Sequence, residues 1–143
     1  MKYCFISSLL GSSRSLYITS YNFPQNYRNY ENSGWHAWTG TSCKLGFNFE
    51  TFELEEGYDW VKITDQVSGR VLFYNYPRGA ESGKQRTFFS DSHWVYIQFK
   101  SDYSVVRKGF RLNIWSTNKG KSQNHTPDKQ LIELFRLHLW NAL

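Results

Sequence analysis

Trp94-Val95-Tyr96-Ile97-Gln98-Phe99-Lys100 alternates its residues without a break, so that Val95, Ile97 and Phe99 fall on one side of an extended chain. The same period of two recurs in Gly109-Phe110-Arg111-Leu112-Asn113-Ile114-Trp115, where Phe110, Leu112 and Ile114 share a side, and again at Leu45, Phe47 and Phe49. Each run reads as a half-buried antiparallel strand. Shorter strands fit Tyr58 to Thr64, Val71 to Tyr74 and Arg86 to Phe89, parted by turn-forming pieces such as Gln66-Val67-Ser68-Gly69 and Tyr76-Pro77-Arg78-Gly79-Ala80. Many short strands at this spacing predict an all-β antiparallel sandwich. Its core should hold Phe47, Phe49, Val95, Ile97, Phe99, Phe110, Leu112 and Ile114. The 19% aromatic content agrees, because aromatic and β-branched side chains suit a pleated surface.

The chain of 143 residues is long enough for one domain with its own core. Residues 1–15 read as an N-terminal segment, either weakly signal-like or a first strand, and residues 16–116 as the domain. After Trp115 the composition turns polar, and residues 117–126 read as a flexible linker. Thr126 followed by Pro127 is a helix start, and Leu131, Ile132, Leu134, Phe135, Leu137, Leu139 and Trp140 predict a short amphipathic helix or tail over residues 127–143. Such a helix would either pack back on the domain or dock on another chain or domain.

Several function classes are disfavoured by the composition. The net charge of +5 is spread along the chain with no dense basic stripe, which argues against nucleic acid. No run approaches the roughly 20 apolar residues that a membrane span needs. Cys4 and Cys43 are the only cysteines, so there is no disulfide framework and no zinc set; one bridge and two free thiols both remain open. His36, His93, His125 and His138 fall at neither metal nor triad spacing, and the G-x-S-x-G and H-E-x-x-H motifs are missing, so the chain is not read as an enzyme. His36 reads as a packed strand or loop histidine. Asn124-His125-Thr126 is a glycosylation sequon that fits secretion.

Against this basic background, five of the twelve acids crowd into Phe49-Glu50-Thr51-Phe52-Glu53-Leu54-Glu55-Glu56-Gly57-Tyr58-Asp59-Trp60-Val61. Either this is a solvated turn between strands, or a cation relieves the repulsion among the carboxylates. Hard oxygen donors would favour Ca²⁺ or Mg²⁺.

The order of motifs resembles that of CUB domains. Ile18-Thr19-Ser20-Tyr21-Asn22-Phe23-Pro24-Gln25-Asn26-Tyr27 is similar to the family's S-P-N-Y-P-x-x-Y opening. Trp35, then Phe49-Glu50-Thr51-Phe52-Glu53-Leu54-Glu55, Tyr58-Asp59-Trp60-Val61, Phe99-Lys100-Ser101-Asp102-Tyr103-Ser104 and Gly109-Phe110 follow in the family's order. The resemblance implies a CUB-like, jelly-roll-like sandwich serving as an extracellular or secreted interaction and adhesion module, with room for a larger multidomain assembly. Carried over by position, it implies a Ca²⁺ site at Glu55, Asp59 and Asp102 with backbone help near Ser104. Tyr27, Tyr58 and Tyr103 would support that site or meet the partner. The implied partner is a protein presenting an exposed Lys or Arg to the calcium-organised loops. The alternative is a glycan surface without metal dependence, built from Arg28, Tyr30, Trp35 and Trp38. The chain departs from the family where its usual disulfides would lie, near Ser33, at Glu56 and at Tyr74, so the cysteines are expected to be dispensable for the fold. Val105 stands where several calcium-binding members carry asparagine.

Overall fold

The structure, a computed structural model, describes residues 15–76, 87–118 and 133–138. Nine strands appear among them: β1 (Leu16–Thr19), β2 (Asn32–Trp38), β3 (Cys43–Glu53), β4 (Trp60–Asp65), β5 (Val71–Tyr74), β6 (Thr87–Phe89), β7 (Trp94–Lys100), β8 (Gly109–Asn118) and β9 (Glu133–His138). They form a four-stranded sheet of order β1-β8-β3-β6 and a five-stranded sheet of order β5-β4-β7-β2-β9, with antiparallel pairing throughout.

The alternation that marked the strands also sets the core. Leu45, Phe47, Ile63, Val95, Ile97, Phe99, Phe110, Leu112 and Ile114 are fully buried between the sheets. Phe110 meets Phe99 edge to face at a ring-centroid distance of 5.4 Å, and Trp35 at 6.1 Å, which ties the two sheets together. The β3–β8 ladder carries a register irregularity between Phe49 and Thr51. It lies beside Glu50, whose carboxylate pairs with Arg111 at 3.2 Å.

The C-terminal expectation is corrected by the structure. Glu133–His138 is not part of a helix but a strand, β9, hydrogen-bonded along β2 from Ser33↔His138 to Trp38↔Glu133. Without it β2 would carry a row of open backbone donors and acceptors, and satisfying that row outweighs the weak local preference for helix. The linker boundary shifts as well, since β8 continues to Asn118. Residues 1–14, Asn124 of the sequon and the apolar positions Leu131, Ile132, Leu139 and Trp140 lie outside the described residues.

Two strands were not marked by alternation, β1 and β2. Asn32-Ser33-Gly34-Trp35-His36-Ala37-Trp38 lacks β-branched residues, yet Trp35 and Ala37 are buried between strands on either side. His36 is a packed strand histidine: its Nδ1 accepts the indole N–H of Trp94 at 3.1 Å, and its ring lies 4.7 Å from that of Tyr96. Cys43 is buried and disulfide-bonded, which removes the free-thiol reading.

Gly109 opens β8 at a φ of +93°, and a Cβ there would collide with the Ser20 hydroxyl oxygen and stand 3.3 Å from the Tyr27 ring. That hydroxyl accepts the Phe110 N–H at 3.1 Å, so it is not free to move aside. Gly109→Ala combines backbone strain with overpacking and is expected to cost about 2–4 kcal/mol. Urea unfolding checks it against the exposed neighbour Lys108→Ala, which should be within about 0.5 kcal/mol of wild type; equal midpoints for the two variants would refute the close-packing account.

Candidate metal and partner-binding site

Three loops meet at the end of the sandwich where β2 and β4 begin and β7 ends. The β1–β2 loop supplies Tyr27, the β3–β4 loop Glu55 and Asp59, and the β7–β8 loop Asp102. The β3–β4 loop is a tight turn in which the N–H groups of Tyr58 and Asp59 donate to the Glu55 carbonyl at 3.4 and 3.1 Å. Gly57 holds a φ of +81° there, a conformation that a side chain would oppose. The turn therefore folds Asp59 back towards Glu55.

Asp59 is the buried centre of the site, 1% exposed. Its Oδ2 accepts the Tyr27 hydroxyl at 2.6 Å and its Oδ1 accepts the Asp102 N–H at 2.9 Å, so one carboxylate joins all three loops. The Tyr27 oxygen in turn accepts the Glu55 N–H at 3.0 Å. Tyr27 is 2% exposed and its ring packs edge to face on Phe99 at 5.3 Å. Its role is therefore to fix Asp59 and Glu55, since its buried face is closed to a macromolecular partner. Asp102 is held by its own loop: its Oδ1 accepts the Ser104 N–H at 2.9 Å and its carbonyl accepts the Tyr30 N–H at 2.7 Å. Ser104 thus acts on Asp102 through its N–H.

One ligand oxygen from each of Glu55, Asp59 and Asp102 lies within 4.8 Å of the others. Oxygens on opposite sides of a bound Ca²⁺ are about 4.6–5.2 Å apart, twice the usual bond length, so the spacing suits that ion. The Glu55 Oε2 is buried and makes no hydrogen bond, an acceptor that lacks a donor. Burial, followed by the charges of Asp102 and Asp59, raises the Glu55 pKa, while Arg107 pulls it down. Asp59 is likewise raised, chiefly by burial, against the lowering effect of the hydrogen bonds from Tyr27 and the Asp102 N–H. Burial and the bond to Asp59 push the Tyr27 hydroxyl well above its ordinary value, so it stays a proton donor. A divalent cation would offset the burial and mutual repulsion of both carboxylates together.

Two supports have no role that the sequence marks. Asn75 is buried; its amide nitrogen donates to the Asp59 carbonyl at 3.0 Å and its Oδ1 accepts the Val61 N–H at 2.7 Å, clamping the start of β4. Ser101 accepts the Glu31 N–H at 2.8 Å and donates to the Arg28 carbonyl at 2.7 Å, joining the β1–β2 loop to the end of β7. An isolated Asn or Ser in a turn has no marker that separates these bonds from solvent contacts.

The four residues of the alternative glycan surface do not share a face. Trp35 is 3% exposed and belongs to the core, because the strand period that turns His36 outwards turns Trp35 inwards. Arg28 is stacked over the Tyr21 ring at 3.7 Å and paired with Glu31 at 3.2 Å. Trp38 lies at the far end of β2, whereas Tyr30 precedes its start and bonds to the Asp102 carbonyl.

Comparison with known proteins agrees with this architecture. The family model described as CUB domain matches residues 10–114. Human Tolloid-like protein 2 is 30% identical over 116 residues, covering 78% of this chain and 11% of that protein. Zinc metalloproteinase nas-39 of Caenorhabditis elegans is 31% identical over 108 residues, covering 73% and 11%. The chain thus spans about a tenth of the length of these relatives. Among solved structures, the CUB1-EGF-CUB2 domain of human MASP-1/3 superposes with a TM-score of 0.67 at 21% identity, covering 80% of this chain and 47% of that one. The MASP-1 CUB2 domain bound to Ca²⁺ superposes with a TM-score of 0.55 at 23% identity, covering 72% and 93%. The two sheets, the motif order and the match over most of the chain's length establish that it belongs to the CUB domain family.

Proposed function

We propose that this chain is a non-catalytic, extracellular interaction module in which Glu55, Asp59 and Asp102 hold one Ca²⁺ and thereby order a loop face that receives a Lys or Arg of a protein partner. The observation that carries this reading is the convergence of three carboxylates from two loops around the unpartnered Oε2 of Glu55. The solved MASP-1 CUB2 domain, bound to Ca²⁺, supports the choice of ion. The similarity in fold to the full extracellular region of zebrafish Gpr126/Adgrg6 supports the compartment, and the small share of the relatives' length that this chain spans fits a multidomain assembly. Calcium would supply charge neutralisation and fixed geometry; Tyr27 and the Asp102 N–H hold Asp59 in place, and Ser104 does the same for Asp102. Carboxylate lone pairs that face solvent can then accept a charge-assisted hydrogen bond from a basic side chain.

A ligand that binds only the folded state stabilises it, by about 2.7 kcal/mol at a hundredfold excess over its dissociation constant. Melting in saturating calcium should therefore exceed melting in chelator by roughly 10 °C. Asp102→Ala removes a ligand from a half-buried loop position and should abolish the shift. Identical wild-type melting in both conditions, with no heat on titration of millimolar calcium, would refute the metal site.

A further inference from the structure

Asn75 follows directly on β5, whose main-chain pairing with β4 ends at Lys62↔Tyr74. One residue further its side chain takes over from the ladder. The amide nitrogen donates to the Asp59 carbonyl and Oδ1 accepts the Val61 N–H, the two main-chain groups on either side of Trp60. Asn75 is 2% exposed, so water does not compete for these bonds. A primary amide carries a donor and an acceptor side by side, as a peptide group does; an ionised Asp would lack the donor and Ala would lack both. Asp59 is otherwise held from the loops of the site: its carboxylate by the Tyr27 hydroxyl and the Asp102 N–H, its own N–H by the Glu55 carbonyl. Among the described residues, Asn75 alone bonds it from the β4–β5 hairpin, which Trp60 and Tyr74 brace edge to face at 5.5 Å.

We propose that Asn75 is a positioning residue that sets the calcium affinity of the site by holding Asp59 in its ligating place before the ion arrives. The proposal rests on the reading of Glu55, Asp59 and Asp102 as the calcium site. A carboxylate free to shift must be ordered when the ion binds, and the cost of that ordering is subtracted from the affinity; a clamp that orders it beforehand removes the cost. Asn75 bonds the main chain of Asp59, so it occupies none of the carboxylate lone pairs that would meet the ion. Groups that orient metal ligands without touching the metal change affinity by about 10–100-fold when they are removed.

Calcium titration by calorimetry, at a temperature where each variant is folded, tests the clamp. Asn75→Ala should raise the calcium dissociation constant about tenfold. Phe47→Leu, a core change in the four-stranded sheet, should leave it at the wild-type value although it too lowers the melting temperature in chelator. The dissociation constant of the folded protein does not follow global stability, so an Asn75 with a merely structural role would behave as Phe47→Leu does. Asn75→Ser, which is too short to span both main-chain groups, should weaken calcium binding in the same direction and serves where Asn75→Ala does not fold. An unchanged dissociation constant in whichever of the two folds overturns the clamp alone. Loss of calcium binding in wild type instead overturns the metal reading, and the clamp's role with it.

Discussion

Phe110→Ala is expected to lower stability by about 3–5 kcal/mol, a large share of what a domain of this size possesses. The side chain is fully buried, with Phe99 and Trp35 of the five-stranded sheet on one side and Phe49 of the four-stranded sheet on the other. Three edge-to-face contacts vanish together, and each ring pair contributes about 0.5–1.5 kcal/mol beyond simple burial. Collapse around the hole is limited because these neighbours are anchored in separate ladders. Urea unfolding should show a lower midpoint at an unchanged slope, and Phe110→Leu should recover more than half of the loss because it refills most of the volume. A midpoint shift below about 1 kcal/mol for Phe110→Ala would mean that the sheets are not joined through this ring.

Asp65→Ala should be comparably damaging, for an electrostatic reason. Asp65 is fully buried at the end of β4, and its carboxylate accepts five hydrogen bonds. Oδ1 takes the N–H groups of Val67 and Ser68 and the Ser92 hydroxyl; Oδ2 takes the N–H groups of Asp91 and Ser92. Removing it leaves buried donors unpaired, at about 1–3 kcal/mol for each one that water cannot reach, so a total near 3–5 kcal/mol is expected. Burial alone would raise the pKa, but these bonds outweigh it and pull the group from 3.8 to about 2. Because the folded state holds the proton less tightly than the unfolded chain, the contribution is complete above about pH 4 and disappears as pH falls towards 2. The size of that loss is about 2 kcal/mol. Denaturation between pH 6 and 2 checks this: Asp65→Asn, which does not titrate, should flatten that part of the profile. An equally steep acid limb in Asp65→Asn would assign the acid sensitivity elsewhere.

What the sequence disclosed and what it concealed follow from the range of the interactions involved. Val95, Ile97, Phe99, Phe110, Leu112 and Ile114 were legible because strand periodicity is written in adjacent residues, and all six are fully buried. Glu55, Asp59 and Asp102 were legible through the resemblance, and the structure brings them within 4.8 Å of one another. Trp35, offered only as part of the alternative glycan surface, has no marked face in the sequence because β2 lacks the alternation that reveals one, and it is buried. The run containing Glu133–His138 was read as a helix because its apolar residues suit either period, and the deciding factor, an open edge on a strand about a hundred residues earlier, is not a local property. Asn75 and Ser101 were invisible for the same reason, since their partners lie on other loops.

The placement of β9 bears on where this domain can be cut. The CUB match ends at residue 114, inside β8, so even a fragment extended to the end of that strand at Asn118 would keep the first eight strands but discard β9. Its β2, still paired with β7 on one side, would then expose the margin that Ser33–Trp38 now pairs with β9. Such margins recruit whatever extended peptide is at hand, including the same strand of a neighbouring molecule. An expression fragment ending near residue 118 should be prone to self-association and precipitation, whereas one retaining the chain through residue 143 keeps that margin sealed by its own tail.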